Sequence, residues 1–339
     1  MSFEVIKPGI LSTLQDRGRY GHRKHGVIVS GPVDSWAHRA ANVLVGNGRD
    51  AATLEMTLQG PHLVAQRDMQ IAICGADMDV QMDGTPVPLW RPVFIPCGSQ
   101  LRFHYAREGC RAYLAVRGGF QGEAVLGSQS TYLRAGIGGL AGRALRAGDW
   151  LGVKEGYAPF PPANFPLTRR EERFLYGRVL PPLVSTIIRP GYRANPVIRM
   201  IRGREASLFS TKSWSHVLSQ PYHVSTQSDR MGYRLLGEQP LELGDGASYE
   251  MISEAVTAGT LQVPSSGQPI LLLADCQTTG GYPRIGHVIA TDLPLVAQVK
   301  PGGTLYFQEV THKEAQEQLL LQEMDLAVLE AGLRCWMRG

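Results

Sequence analysis

Glycine and proline constrain this chain's fold more than any other feature. Thirty-nine glycines and 22 prolines are spread evenly over 339 residues. Both residue types disfavour helix interiors and mark turns. Between them the apolar residues come in short runs, at 70–74, 92–96, 100–104 and 111–116. Runs of that length bounded by turn residues describe a strand-rich protein. Asp83-Gly84, between 78–82 and 87–90, signals a hairpin, because a two-residue turn of this kind needs positive φ at both central positions.

Two segments depart from the pattern. Within 34–45, Trp36, Ala37, Ala40, Ala41, Val43 and Leu44 recur at helical spacing. Asp34 is placed to cap that helix and Gly46 to end it. Within 313–333, Leu319, Leu320, Met324, Leu326, Ala327 and Leu329 fit a helix with one apolar face close to the C-terminus. Residues 155–195 differ again, with Pro159, Pro161, Pro162 and Pro166, a charged patch at 169–173, and Pro181-Pro182. They read as a crossing between halves. The expected organisation is therefore an N-terminal β-rich half at 1–154, the crossing at 155–195, a second β-rich half at 196–310, and a C-terminal helix at 311–339. No internal repeat of fixed period is visible.

Lys+Arg of 34 against Asp+Glu of 30 leaves a net charge of only +4, which gives no electrostatic footprint for nucleic acid. Cys74, Cys97, Cys110, Cys276 and Cys335 are odd in number and widely spaced, so neither a disulfide framework nor a structural zinc site is expected. The first residues lack the apolar core of a leader, and no apolar run approaches the roughly 18 residues of a membrane span. A reduced, cytoplasmic protein is the expectation.

The familiar catalytic signatures are missing. There is no P-loop, no GxGxxG in a strand–helix frame, no HExxH and no GxSxG. His22 and His25 share a polar loop without a carboxylate or cysteine spaced to complete a metal site. No Met-Lys-Met biotin-attachment sequence is present, so biotin would have to arrive on another chain.

Polar chemistry concentrates elsewhere. Residues 275–286 read Asp-Cys-Gln-Thr-Thr-Gly-Gly-Tyr-Pro-Arg-Ile-Gly and follow an apolar run of strand length. Thr278 and Thr279 offer hydroxyls, Gly280 and Gly281 allow close approach, and Arg284 offers a planar fork for a carboxylate or phosphate. The same residues also fit a glycine-rich hairpin turn. Ser30-Gly31-Pro32-Val33-Asp34 leads into the first helix and suits either anion binding or simple capping. Val116–Phe120 and the hydroxyl-rich stretch from Leu126 to Thr131 suit ligand loops or tight barrel turns. In Ser225–Leu235, Asp229 lies beside Arg230 and Arg234, whose charges would keep it ionised for work as a base or as an orienting acceptor. A surface Asp–Arg pair of little energetic value fits the same residues.

Together these segments resemble the allophanate hydrolase subunit 2 family. That family includes the C subunits of 5-oxoprolinase (KipA-like proteins) and the carboxyltransferase domain of urea carboxylase. The residues that carry the resemblance are Ser-Gly-Pro-Val-Asp at 30–34, Leu-Glu-Met-Thr at 54–57, Tyr-Leu-Ala-Val-Arg-Gly-Gly at 113–119 and Leu-Gly-Ser-Gln-Ser-Thr at 126–131. Gly-Ile-Gly-Gly-Leu-Ala-Gly-Arg at 136–143, Ser-Asp-Arg-Met-Gly-Tyr-Arg-Leu at 228–235, Gly-Thr-Leu-Gln-Val-Pro at 259–264 and the 275–286 segment complete it. Val33 and Cys276 are small departures that remove no polar group.

The resemblance implies a mainly β protein of two cyclophilin-like β-barrel halves, with few helices and a site between the halves. It implies one component of an ATP-dependent lactam hydrolase that opens 5-oxoproline to L-glutamate. The other two components would be a KipI-like protein and a LamB/YcsF-like protein. ATP would then be bound with or by those partners. The resemblance marks Asp229, Thr278 and Thr279 as catalytic. Arg230, Gln277, Tyr282 and Arg284 would bind substrate, with Ser30, Asp34, Ser128 and Ser130 on the facing half. A biotin-dependent carboxyltransferase-like enzyme and a KipA-like regulator that binds a KipI-like kinase inhibitor are the alternatives. The amidase Ser–Ser–Lys machinery that allophanate hydrolysis requires is not readable.

Overall fold

The computed structural model describes residues 2–154 and 183–338, so most of the expected crossing, 155–182, lies outside the described residues. Internal contacts divide the chain into two compact units. One takes the residues up to Gly18, those from Asp34 to Arg189 and those from Glu323 onward; the other takes Arg19–Val33 and Pro190–Gln322. Residues 19–33, drawn from the N-terminal stretch, thus pack with the second unit.

The first unit is built from two antiparallel sheets. One has five strands in the order Leu11–Gln15, Thr53–Thr57, Glu108–Val116, Met69–Asp77 and Pro92–Ile95. The other has seven, with Phe3–Lys7 and His62–Ala65 near its centre. Both contribute to one core that includes Phe3, Leu54, Leu63, Ile73, Leu114 and Phe120. The expected hairpin forms between Gln81–Met82 and Thr85–Pro86, with φ of 51° at Asp83 and 81° at Gly84. Ser35–Leu44 (α1) is the expected first helix. The Asp34 carboxylate accepts from the Ala37 amide at 2.8 Å, and Gly46 adopts φ 72° just past its end.

The second unit is a closed seven-stranded barrel. Its strands run Val197–Arg202, Arg284–Val288, Thr260–Gln262, Ile270–Leu272, Gly232–Gly237, Tyr222–Val224 and Thr304–Glu309. Parallel pairing of the first with the last closes it and removes free edges. Alternation fills it: Ile198 and Met200 are fully buried, whereas Val197 beside them is exposed. Thr211–Ser219 (α2), capped by Ser210, and Leu293–Ala297 (α3) add to the barrel core through Val217 and Val296. The fold is thus mainly β, with four α-helices among the described residues.

The last helix, His312–Arg338 (α4), starts at a reciprocal capping box that the sequence reading missed. The Thr311 amide donates to the Glu314 carboxylate at 2.7 Å, and the Glu314 amide donates back to the Thr311 hydroxyl at 3.2 Å. Its apolar residues do not share one face. Leu326 and Leu333 are buried, whereas Leu320, Met324 and Val328 are exposed. Glu323 pairs with Arg39 of α1 and with Arg49, and Glu330 with Arg49 at 2.9 Å.

Close backbone packing fixes where the barrel strand Arg284–Val288 begins. A Cβ on Gly203 would stand 2.1 Å from the Arg284 carbonyl oxygen. Gly203→Ala is therefore expected to lower unfolding free energy by roughly 1–3 kcal/mol, read from urea denaturation. An unchanged midpoint would show that the Gly203 backbone moves freely there.

Candidate functional site

The segment 275–286 leaves the barrel at the end of strand Ile270–Leu272. Its first residue anchors it. Asp275 accepts from Arg230 Nε at 2.9 Å and Nη2 at 3.0 Å, and from the Ser30 hydroxyl at 2.6 Å. Arg230 Nη2 also donates to the Gly31 carbonyl at 2.6 Å. Arg230, Asp275 and Ser30 are all buried. The loop that supplies Ser30 and Gly31 needs positive φ at both, 60° and 91°, to present them. One ion pair thus ties the Asp229–Arg230 turn, the strand end and loop 19–33 together within the second unit.

The segment then folds back as a two-stranded ribbon, Thr279–Gly280 against Glu254–Ala255. The Thr278 carbonyl accepts from the Val256 amide at 3.1 Å and from Arg23 Nη2 at 3.3 Å, and Arg23 also reaches the Val256 carbonyl. Gln277 donates to the Gln262 side-chain oxygen at 3.3 Å, and the Gln262 amide donates on to the Tyr282 carbonyl at 3.4 Å. Arg284 closes the segment. It donates to Glu205 at 2.6 Å through Nε, to Glu254 at 2.7 Å and to the Ala255 carbonyl at 3.2 Å. Its bonds to Glu205 chiefly push the Arg284 pKa further up. Burial drives the Glu205 pKa up, but the bonds from Arg284 outweigh it and hold that carboxyl low.

The two expected substrate-holding arginines, Arg230 and Arg284, are therefore both committed to internal carboxylates. Each closes a structural junction. Asp229 is exposed, and its carboxylate accepts from the Met231 amide at 2.8 Å and the Gly232 amide at 3.4 Å. The guanidinium of Arg230, expected to flank it, turns inward to Asp275 instead. Among the described residues no hydrogen-bond partner engages the hydroxyls of Thr278, Thr279 or Tyr282, and Thr279 and Tyr282 are exposed. Cys276 is buried, and that burial pushes its thiol up to about 11, so it is no nucleophile near neutral pH.

The remaining candidates are structural by their contacts. Ser30, expected opposite this segment, belongs with it through Asp275. In the first unit, Ser128 and Ser130 donate to Asp16 at 2.5 and 2.7 Å, joined by the Gln129 amide at 2.6 Å and the Gly18 amide at 2.9 Å. Burial raises the Asp16 pKa, but these donors outweigh it and keep the carboxylate low. Asp34 is fully buried as the cap of α1, and its amide donates to the Tyr113 hydroxyl at 2.8 Å. Tyr113 donates in turn to Glu55 at 2.7 Å. His38 beside them bonds Thr53 at 2.8 Å, and burial lowers its pKa from 6.5 to about 4. Sequence reading missed Arg23, Glu205, Glu254 and Gln262. Only Gln262 carried a signal, since it lies in the Gly-Thr-Leu-Gln-Val-Pro motif.

A closed β-barrel whose strand end carries an anchored polar ribbon defines the class of protein. The chain belongs to the family described as carboxyltransferase domain, subdomain A and B, whose model matches residues 25–309. Similar proteins include the 5-oxoprolinase C subunit of Haemophilus influenzae, 39% identical over 90% of both chains. Its counterpart in Escherichia coli is 36% identical over 92% of both. The K. lactis urea amidolyase structure matches with a TM-score of 0.85 at 26% identity, covering 97% of this chain but only 20% of that one. No helix among the described residues is long and apolar enough to cross a membrane.

Two outcomes test this chemistry. Asp275→Asn leaves the Arg230 charge buried without its counter-ion and is expected to cost about 3–5 kcal/mol in chemical denaturation. The double variant Arg230→Met, Asp275→Leu recovers part of that loss; a double variant as unstable as the sum of both singles would contradict the pairing. His38 is neutral in the fold down to about pH 4, whereas an unfolded histidine takes up a proton below 6.5. Its contribution is intact above 6.5 and falls away as pH drops from 6.5 to 4, by roughly 3 kcal/mol. Stability measured across that window should fall less steeply in His38→Asn, and an identical slope would remove His38 as the cause.

Proposed function

We propose that this chain is the C component of an ATP-dependent 5-oxoprolinase. It would act with a KipI-like partner and a LamB/YcsF-like partner to open 5-oxoproline to L-glutamate. The observation that carries the reading is the pair of 5-oxoprolinase relatives, matched over nine-tenths or more of each length. The lactam is a resonance-stabilised amide, which explains coupling its opening to ATP. This chain's sequence has no P-loop, and the reading leaves ATP to the partners.

The roles follow from where each side chain stands. The Thr278 and Thr279 hydroxyls donate to the carbonyl oxygen of the lactam as charge develops on it. Gln277 and Tyr282 complete the polar contacts. The exposed Asp229 carboxylate accepts from the ring N–H or from an attacking water. Arg230 and Arg284 keep the ribbon and its base rigid rather than holding substrate. The family's description as a carboxyltransferase domain supports a second reading, carboxyl transfer, for which biotin would be carried by another chain.

The experiment mixes purified chain with its KipI-like and LamB/YcsF-like partners and follows glutamate release from 5-oxoproline. ATP-dependent release only in the full mixture is expected. Release in no mixture, together with tight binding to the KipI-like partner, would replace the enzyme reading by a regulatory one; carboxyl transfer from a biotinylated carrier would replace it by the second. In the active mixture, Thr278→Val with Thr279→Val, and separately Asp229→Asn, should each lower kcat by roughly 10²-fold or more while the chain stays folded. Wild-type rates in either variant would remove those residues from catalysis.

A further inference from the structure

Helix α4 turns an apolar face to solvent. At 3.6 residues per turn, Leu320, Leu321, Met324, Ala327, Val328, Ala331 and Cys335 line one side of it. Leu320 is 65% exposed, Met324 62% and Val328 70%, so the stripe is uncovered along its length. The opposite side is the anchored one, with Leu326 and Leu333 buried and Glu323 and Glu330 paired to arginines. The family match ends at residue 309, before α4 begins at His312, so this face lies outside the matched region.

The stripe is graded in size. Its N-terminal half presents Leu320, Leu321 and Met324 before Ala327; its C-terminal half presents Val328 and then Ala331, Gly332 and Cys335. The space beside Gly332 is open, with nothing within 4 Å of where a Cβ would stand. Charge is graded too. Glu314 and Glu317 against Lys313 leave the start of the helix negative, while Arg334 follows the last acid, Glu330, near its end. A face graded in this way complements itself when reversed, which is the requirement of an isologous contact.

We propose that this face pairs with the same face of a second copy, the two α4 helices running antiparallel about a twofold axis. In that register Leu320 lies opposite Cys335, Met324 opposite Ala331, and Ala327 opposite Val328, with Leu321 beside Gly332 of the other copy. Large side chains meet small ones at these levels, so the helix axes approach closely and the stripe leaves water. The acidic start of each helix lies toward the basic end of the other. This pairing does not depend on the reaction the chain takes part in.

Sedimentation of the full chain over a wide concentration range should show a monomer–dimer equilibrium. Met324→Glu should weaken it by at least about tenfold, because a charge would then be buried against Ala331 of the other copy without a partner. Register is tested by cross-linking in a Cys97→Ser background. Leu320→Cys should form a disulfide with the native Cys335 of a second copy, with added oxidised glutathione taking up the two electrons and two protons. It should run as a covalent dimer on a non-reducing gel, and Cys335→Ser should abolish that dimer. Leu319→Cys, about 100° further round the helix, should not cross-link. A chain monomeric at every concentration, or one in which Leu319→Cys cross-links as well as Leu320→Cys, overturns the proposal. So does a monomer whose Met324→Glu variant loses only the binding of a different protein.

Discussion

The buried pair of Arg230 and Asp275 sets the conformation of everything around the polar strand end. Three segments distant in sequence meet there: the turn at 229–232 and the start of 275–286, already neighbours through the pairing of Gly232–Gly237 with Ile270–Leu272, and loop 19–33, whose Val33 lies in the same core as Leu273. Their side chains interlock because a buried carboxylate needs its full complement of donors and a buried guanidinium its acceptors. Asp275 draws two bonds from Arg230 and one from Ser30, and Arg230 draws in the Gly31 carbonyl. Satisfying both ions fixes the backbone of all three segments at once. Such a pair contributes geometry more than net stability, since desolvation offsets much of its attraction. Here the geometry is what the ribbon beyond Asp275 requires.

The same logic repeats at the other end of the ribbon and in the first unit. Arg284 joins Glu205, from the short helical turn after Val197–Arg202, to Glu254 on the strand opposite Thr279. Asp16 gathers Ser128, Gln129, Ser130 and Gly18 around one carboxylate, which pins a glycine-rich loop that has little apolar surface of its own. In each case a charged side chain collects the donors and acceptors of a loop around one point. Full coordination is also why these groups make poor ligand binders, because a substrate would have to displace partners already in place.

Local features were legible in the sequence because they rest on short-range rules. The even scatter of glycine and proline foretold strands and turns. Asp83-Gly84 foretold its hairpin, and Asp34 with Gly46 bounded α1. Of the polar segments that stood out, 275–286, 225–235 and Ser30-Gly31 meet at the strand end of the barrel, whereas Asp34, Ser128 and Ser130 lie in the first unit. What could not be read was which charges would find each other. Arg230 sits next to Asp229 in sequence but pairs with Asp275, because the turn aims consecutive side chains in opposite directions, one outward and one inward. Arg23 lies in the polar loop of His22 and His25 and carried no signal, yet it holds the carbonyls of Val256 and Thr278. The face of α4 was illegible for a different reason. Its leucines and methionine satisfy helical periodicity on two sides, and only the positions of Arg39 and Arg49 decide which side is anchored.

Removing the committed groups leaves a particular kind of chemistry at 275–286. The charges of Arg230 and Arg284 are neutralised from within, the one thiol is buried and protonated, and the hydroxyls of Thr278, Thr279 and Tyr282 remain, beside an exposed Asp229 carboxylate that already accepts the Met231 amide. Neutral donors fixed on a rigid ribbon are suited to an oxygen that gains charge during reaction. They offer little to an ion already charged in the ground state, which water would solvate better. A donor that strengthens only as charge develops favours the transition state over the substrate, and this difference is what accelerates a reaction. None of the groups at 275–286 is an activated nucleophile. On the proposed reading, activation must therefore come from chains that bind ATP, and this chain's part is to hold and polarise the bond that breaks.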